Sequence, residues 1–281
     1  FYTVVDDSTP GYRIINSGQT GVLLLRLRFS ALDEAVDIQR LNFQLSGAAS
    51  NTPIDLVGNR VILYDEANPT VTIGTAEFTA SGDYATSSIL SSNFVVPQGG
   101  SKVLLVKGDI AAIATAGPLT FSGDLLKTDY DGNALGVNGG NYGIGQSSGT
   151  AITPISSDTA VGGVRIMKAY SEFAKLSVPA FTLVTGDNQN PLYRFSVKAV
   201  GGDIHLGKLT FNISSTTVSG NALGTNATTS KYTLTAYTDS GFTFGDTTAP
   251  GSTSGAGILN GGQCYGNNNS QGVKNNVGLA G

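Results

Sequence analysis

The sequence holds a single cysteine, Cys264, so no disulfide can close within the chain. That scarcity fits a reducing interior, or an oxidising exterior whose modules are large enough to need no staples, and it leaves the redox compartment open. There is also a single histidine, His205. A site built on two or three histidines, or on a cysteine cluster, is thereby excluded within one chain, and His205 reads as a structural or surface residue. No Gly-x-Ser-x-Gly elbow with a following histidine and no Walker loop occurs. Basic residues are few, 16 against 20 acidic ones, for a net charge of -4. Such a surface has little long-range field to gather phosphates, which argues against a nucleic-acid partner. No run of 18 apolar residues exists, so no membrane-spanning segment is expected. No signal peptide is visible, and the first residue is Phe1 and not Met, as in a processed chain or a fragment.

What is abundant is glycine, 38 of 281 residues, together with Ser, Thr and Asn, while the apolar share of 40% and eleven tyrosines argue against global disorder. Low lysine content and neutral polar decoration point outside the cell. Asn212, Asn226 and Asn268 each open an Asn-x-Ser/Thr acceptor pattern for glycosylation, a pattern that chance also produces in a chain this rich in Asn and Thr.

The chain is organised around an internal duplication. Leu24–Ser46, LLRLRFSALDEAVDIQRLNFQLS, returns at Leu192–Ser214 as LYRFSVKAVGGDIHLGKLTFNIS, without a gap. Both copies read as two strands around a short polar connection. In the second strand Leu41, Phe43 and Leu45 share one face, as do Leu209, Phe211 and Ile213 in the later copy, and this period of two marks half-buried β structure. Further strands are expected at Phe1–Val5, Gly21–Ser30, Val61–Asp65, Lys102–Lys107 and Tyr232–Tyr237, with helical turns at Ser87–Leu90 and Tyr170–Leu176. The arithmetic of many short strands and Gly, Pro and Asn turns is that of a sandwich. The expected class is all-β, two tandem immunoglobulin-like β-sandwiches. The expected division is a first module at 1–133 with an N-terminal strand arm, a Gly/Ser-rich connection at 134–158, and a second module at 159–281 with a Gly/Asn-rich tail. From 245 onward strand signals fade, and no counterpart of VPQGGSKVLLVK follows. The second module is therefore expected to lack a strand of its own, which leaves an apolar cleft and unpaired backbone groups.

Signals of chemistry are thin. Asp129-Tyr-Asp131-Gly-Asn133 has the alternating carboxylates, glycine and amide that open an oxygen-ligand loop for calcium, and Asp124 is a further candidate ligand. The terminal glutamate of a full twelve-residue loop is missing, and the alternative is an ordinary Asx/Gly turn. Tyr232 and Tyr237, near Phe242, are candidates for stacking on a glycan, although tyrosine is also favoured on strands for its shape. Paired carboxylates of a glycoside hydrolase are a third possibility.

At Val96–Ile110, VPQGGSKVLLVKGDI, and Asp203–Phe211, DIHLGKLTF, the sequence resembles repetitive β-sandwich modules of secreted bacterial or archaeal surface proteins. The resemblance implies surface layers, adhesins or extracellular filaments, often stabilised by calcium, and it assigns no catalytic residue. The resulting expectation is a non-enzymatic extracellular or cell-surface subunit whose partners are copies of itself. Phe1, Tyr2, Thr3, Val4 and Val5 would lie along the open edge of the next subunit, making a head-to-tail homopolymer. The alternative is a glycan-binding adhesin or carbohydrate-binding module, with glycans or the cell envelope as partner.

Overall fold

The computed structural model describes residues 1–46, 52–79, 81–91, 94–113, 120–180, 191–206, 208–213, 234–245, 258–260 and 273–278. It is all-β, apart from two 3-10 turns at Pro53–Asp55 and Val57–Asn59. The first strands are β1 (Tyr2–Asp6), β2 (Arg13–Asn16), β3 (Val22–Ala31), β4 (Val36–Arg40), β5 (Asn42–Leu45), β6 (Arg60–Asp65), β7 (Thr72–Glu77), β8 (Tyr84–Thr86), β9 (Val95–Val96) and β10 (Ser101–Gly108). They are followed by β11 (Leu125–Leu126), β12 (Thr128–Tyr130), β13 (Tyr142–Gly145), β14 (Ala151–Ile152), β15 (Val164–Met167), β16 (Tyr170–Leu176) and β17 (Arg194–Val200). The last are β18 (Lys208–Ile213), β19 (Leu234–Thr235), β20 (Ile258–Asn260) and β21 (Val273–Gly278). Two compact units divide the chain, Phe1–Asp203 and Ile204–Gly281.

In the first unit a five-stranded antiparallel sheet runs β1-β3-β10-β6-β7. Smaller sheets, β12-β5-β8 and β14-β13-β4-β9, contribute to the same apolar core. Leu25, Leu27 and Phe29 of β3 share this core with Phe94, Phe43 and Tyr130, with Phe29 and Phe94 edge to face at 5.3 Å. The alternation in β3 changes phase at Leu24. Val106 pairs with Leu25 but Lys107 pairs with Leu23, so Leu24 is the extra residue of a bulge. Val22 and Leu24 are consequently buried and Leu23 is not, although strict alternation would bury Leu23 beside Leu25. The expected face, Leu41 just before β5 with Phe43 and Leu45 in it, is buried.

The segment 134–158, expected as a connection, belongs to the first unit. β13 pairs with β4 and β14 extends that sheet. Asn141 fixes it: fully buried, its Oδ1 accepts from the Asn42 backbone N–H at 2.7 Å while its Nδ2 donates to the carbonyls of Asp131 and Ala134. A glycine-rich stretch with one buried amide can join a sheet that its hydropathy does not announce. Beyond it, β15 runs parallel to β2 and antiparallel to β11, so Val164–Met167 also belongs to the first unit. Tyr170–Leu176, expected to form helical turns, is strand β16, paired along its whole length with β17. Tyr, Ser and Phe favour a pleated surface, and a seven-residue piece is too short to hold a helix alone. Ser87–Leu90 is likewise not helical; its backbone N–H groups bond to Leu41, Thr75 and Gln39.

The second unit is described by two ladders, β18 with β21 and β19 with β20, both antiparallel. Among the described residues no helix is long and apolar enough to cross a membrane.

Candidate functional site

The sequence-derived assembly strand, Phe1–Val5, lies in its own chain's sheet. β1 pairs with β3 from Tyr2 opposite Ala31 to Asp6 opposite Leu27, and Tyr2 and Val4 are buried. Its other edge meets Ile155, whose N–H donates to the Tyr2 carbonyl at 2.9 Å. Burial and the adjacent Tyr130 push the Tyr2 phenol far above the usual tyrosine range. The N-terminal ammonium pairs with Asp33 at 2.9 Å, Thr3 is half-buried, and Phe1 and Val5 are exposed. Strand donation by these residues would thus require β1 to leave β3.

The candidate calcium ligands do not converge. Asp129 is fully buried, bonded to the Ser46 hydroxyl and to the Val161 N–H at 2.7 Å, and burial raises its carboxyl against those bonds. Asp131 accepts from the Ala134 N–H, a short Asx turn. Asn133 instead donates to Asp158, at 2.9 Å from its side chain. Asp124 accepts from the Phe121 N–H at 2.7 Å. Among the described residues no group of three or more His, Cys, Asp or Glu stands close enough together to hold a metal ion.

Of the candidate glycan-binding rings, Tyr232 lies outside the described residues. Tyr237 and Phe242 meet edge to face, 5.5 Å between centroids and 83° between planes. Perpendicular rings offer no common plane. Of the three glycosylation candidates, Asn226 and Asn268 lie outside the described residues, and Asn212 is in β18 opposite Lys274. His205 is exposed.

A feature that sequence reasoning missed is the outer hairpin β16–β17. Phe173 stands opposite Val197, and Phe173, Phe195 and Tyr193 form a continuous row, with centroids 6.2 and 5.7 Å apart and planes inclined by about 30°. Phe173 and Tyr193 remain 52% and 53% exposed, as does Leu192 at 51%. Two large aromatics at this exposure, in contact through a third ring, are a patch and not scattered surface residues. The signal that could have revealed it is the duplication itself, since its offset carries Tyr2 onto Tyr170 and so β1 onto β16.

The ladder of this hairpin differs from that of β1–β3 by one residue. Tyr2 pairs with Ala31, whereas Tyr170 pairs with Val200, one beyond the position equivalent to Ala31. A one-residue slip moves a whole strand to the opposite face. Glu172, equivalent to the buried Val4, is thereby placed opposite Lys198, and Phe173 joins the apolar row. Comparison with protein-family models, with curated proteins and with solved structures gives no match.

Proposed function

We propose that the chain is an extracellular structural subunit that associates with copies of itself into a filament or surface lattice. In this reading its two units follow the immunoglobulin-like sandwich plan, with the later one short of a core strand. One observation carries it. The strand pair that buries its apolar row in the first copy, β1–β3, recurs as β16–β17 with Phe173, Leu192 and Tyr193 at the surface. The low charge and polar, glycine-rich composition support a place outside the cell. The occupant of the apolar row is a second copy, in a contact that is head-to-tail because the hairpin and the surface it meets differ, and that propagates as a filament or lattice where its rotation closes no ring. Phe1–Val5 enters this reading only as an exchanged strand, β1 of one copy replacing β1 on the next copy's β3, because the equivalent edge of β17 already carries β16.

Mass photometry and negative-stain imaging of the full chain test the proposal. Wild type is expected to form concentration-dependent oligomers, and the double variant Phe173→Ser, Tyr193→Ser to remain monomeric. Val5→Cys with Arg28→Cys, in a Cys264→Ser background, locks β1 onto its own β3 at an opposed pair. Oligomers that survive the lock use the hairpin row, and oligomers lost only under the lock use strand exchange. A wild-type chain that stays monomeric at high concentration would overturn the reading.

A further inference from the structure

At one end of the five-stranded sheet three hydroxyls stand side by side. Thr3 of β1 lies opposite Ser30 of β3, and Ser30 lies opposite Ser101 of β10. Adjacent strands are about 4.8 Å apart, so the row is about 10 Å long. Tyr2, Val4, Phe29 and Ala31, the neighbours of Thr3 and Ser30, are buried, which puts the hydroxyls on the sheet's outer face. Thr3 and Ser30 are half-buried and Ser101 is exposed. Among the described residues no protein group takes these hydroxyls in a hydrogen bond, so water holds them and a ligand can replace it.

The row lines a cleft of about 450 Å³, a volume within the range of small-molecule sites. Phe1 and Leu32 close one end of it, 47% and 55% exposed, and the Leu32 N–H donates to the Phe1 carbonyl at 3.2 Å, which sets the two side by side. The Gly99–Gly100 turn runs along the row's border. The Gly99 N–H donates to the Ala31 carbonyl at 2.9 Å, and the Ala31 N–H donates to the Gly100 carbonyl at 3.2 Å. Gly99 takes a left-handed φ of 67°, and space is open where a Cβ would stand, so the turn narrows the cleft with backbone alone. No charged side chain lines the cleft. Arg28, one row further along the same face, is held by Asp7.

We propose that this cleft binds a neutral glycan, with a disaccharide unit lying along Thr3, Ser30 and Ser101. Each protein hydroxyl both donates and accepts, and so matches sugar hydroxyls in either sense. The row has the length of a disaccharide, and Phe1 and Leu32 give the apolar face of a pyranose a surface to pack on. An anion would meet no cation in the lining, and an extended peptide would meet no open edge, since β1 pairs with β3 on one side and meets Ile155 on the other. The cleft is distinct from the perpendicular Tyr237–Phe242 pair, and it stands independently of self-association.

The test is isothermal titration of the full chain with cellobiose, maltose and diacetylchitobiose near neutral pH. At least one of them is expected to bind saturably, at one site per chain. Ser30→Ala, which removes the middle hydroxyl, is expected to weaken that binding about threefold to tenfold, and Phe1→Ala about tenfold. Ser101→Tyr, which fills the cleft, abolishes it, and Tyr237→Ala retains it. The Phe173→Ser, Tyr193→Ser chain is expected to bind with the wild-type affinity, which separates the cleft from the association surface. Thermal melts of the cleft variants should match wild type, because the substituted side chains lie on the outer face. The proposal is overturned if no disaccharide binds saturably, if Ser30→Ala and Phe1→Ala both bind as wild type does, or if Tyr237→Ala alone loses binding.

Discussion

β3 and β17 share one sequence pattern at a fixed offset, yet they meet different surroundings. β3 lies between β1 and β10, and Leu25, Leu27 and Phe29 are buried in the core. The aligned residues Tyr193, just before β17, and Phe195 and Val197 within it form the same alternate row, but Tyr193 is exposed and the other two are half-buried. The charged residues have diverged as well. Arg26 is held by Asp7 at 2.8 Å and by Glu66 at 2.7 Å, while the position equivalent to Asp7 is Lys175, opposite Phe195. A repeated pattern therefore preserved strand formation, which is local, without preserving burial, which depends on what the rest of the chain lays over it.

The sharpest way to break this comparison is to truncate aligned residues. Phe29→Ala is expected to cost about 3–5 kcal/mol, because it empties a filled core position against Phe94. Val197→Ala, 168 positions later, is expected to cost less than about 1 kcal/mol in the monomer. Urea denaturation of both variants checks this, and equal costs would mean that β17 is as buried in solution as β3.

A smaller effect is expected from Arg26→Ala. Asp7, whose side chain is 9% exposed, would keep Arg28 but lose one of its two supports on β3, at a cost of about 1 kcal/mol. High salt should recover little of it, since Asp7 is largely screened from solvent by the protein itself. A loss that vanishes in salt would place Asp7 at the surface, and the first copy would then resemble the second more than the structure has it.

The smallest effect concerns Glu34, whose counterpart in the later copy is Gly202. The N–H of Ser148, then its hydroxyl, and the N–H of Ser147 hold the Glu34 carboxyl below the ordinary glutamate range. Gly145 lies directly beneath, where a Cβ would meet the carboxylate at 2.4 Å. A carboxyl depressed by folding favours the closed turn above its ordinary value, and that preference is lost as pH falls through the lower folded value. The amide shifts of Ser147 and Ser148 should accordingly titrate together with a midpoint below about 4.5, and Glu34→Gln should remove the transition. A midpoint at or above the ordinary value would show the 134–158 segment to be looser than its ladder with β4 implies.

The strands of the first unit were legible wherever apolar residues alternate, as in Leu41, Phe43 and Leu45, or crowd between lysines, as in Lys102–Lys107. The bulge at Leu24 was not, because an extra residue in one strand is defined only against its partner. The 134–158 segment was misread for a related reason: its anchor is a single buried asparagine and its partners, at Asn42 and on β4, are about a hundred residues away. The site residues fared unevenly. Alternating carboxylates at 129–133 announced a cluster, but Asp129 turns into the core and Asp131 into its own turn.

Composition and periodicity by themselves determined that this chain is built of short strands, carries little charge, and repeats one strand pair at a fixed offset, because each of these depends on neighbours in sequence. The tertiary structure decided which copy of that pair is covered, and that β1 is satisfied by its own β3. Those outcomes depend on register and long-range pairing, where a slip of one residue exchanges the buried face for the exposed one.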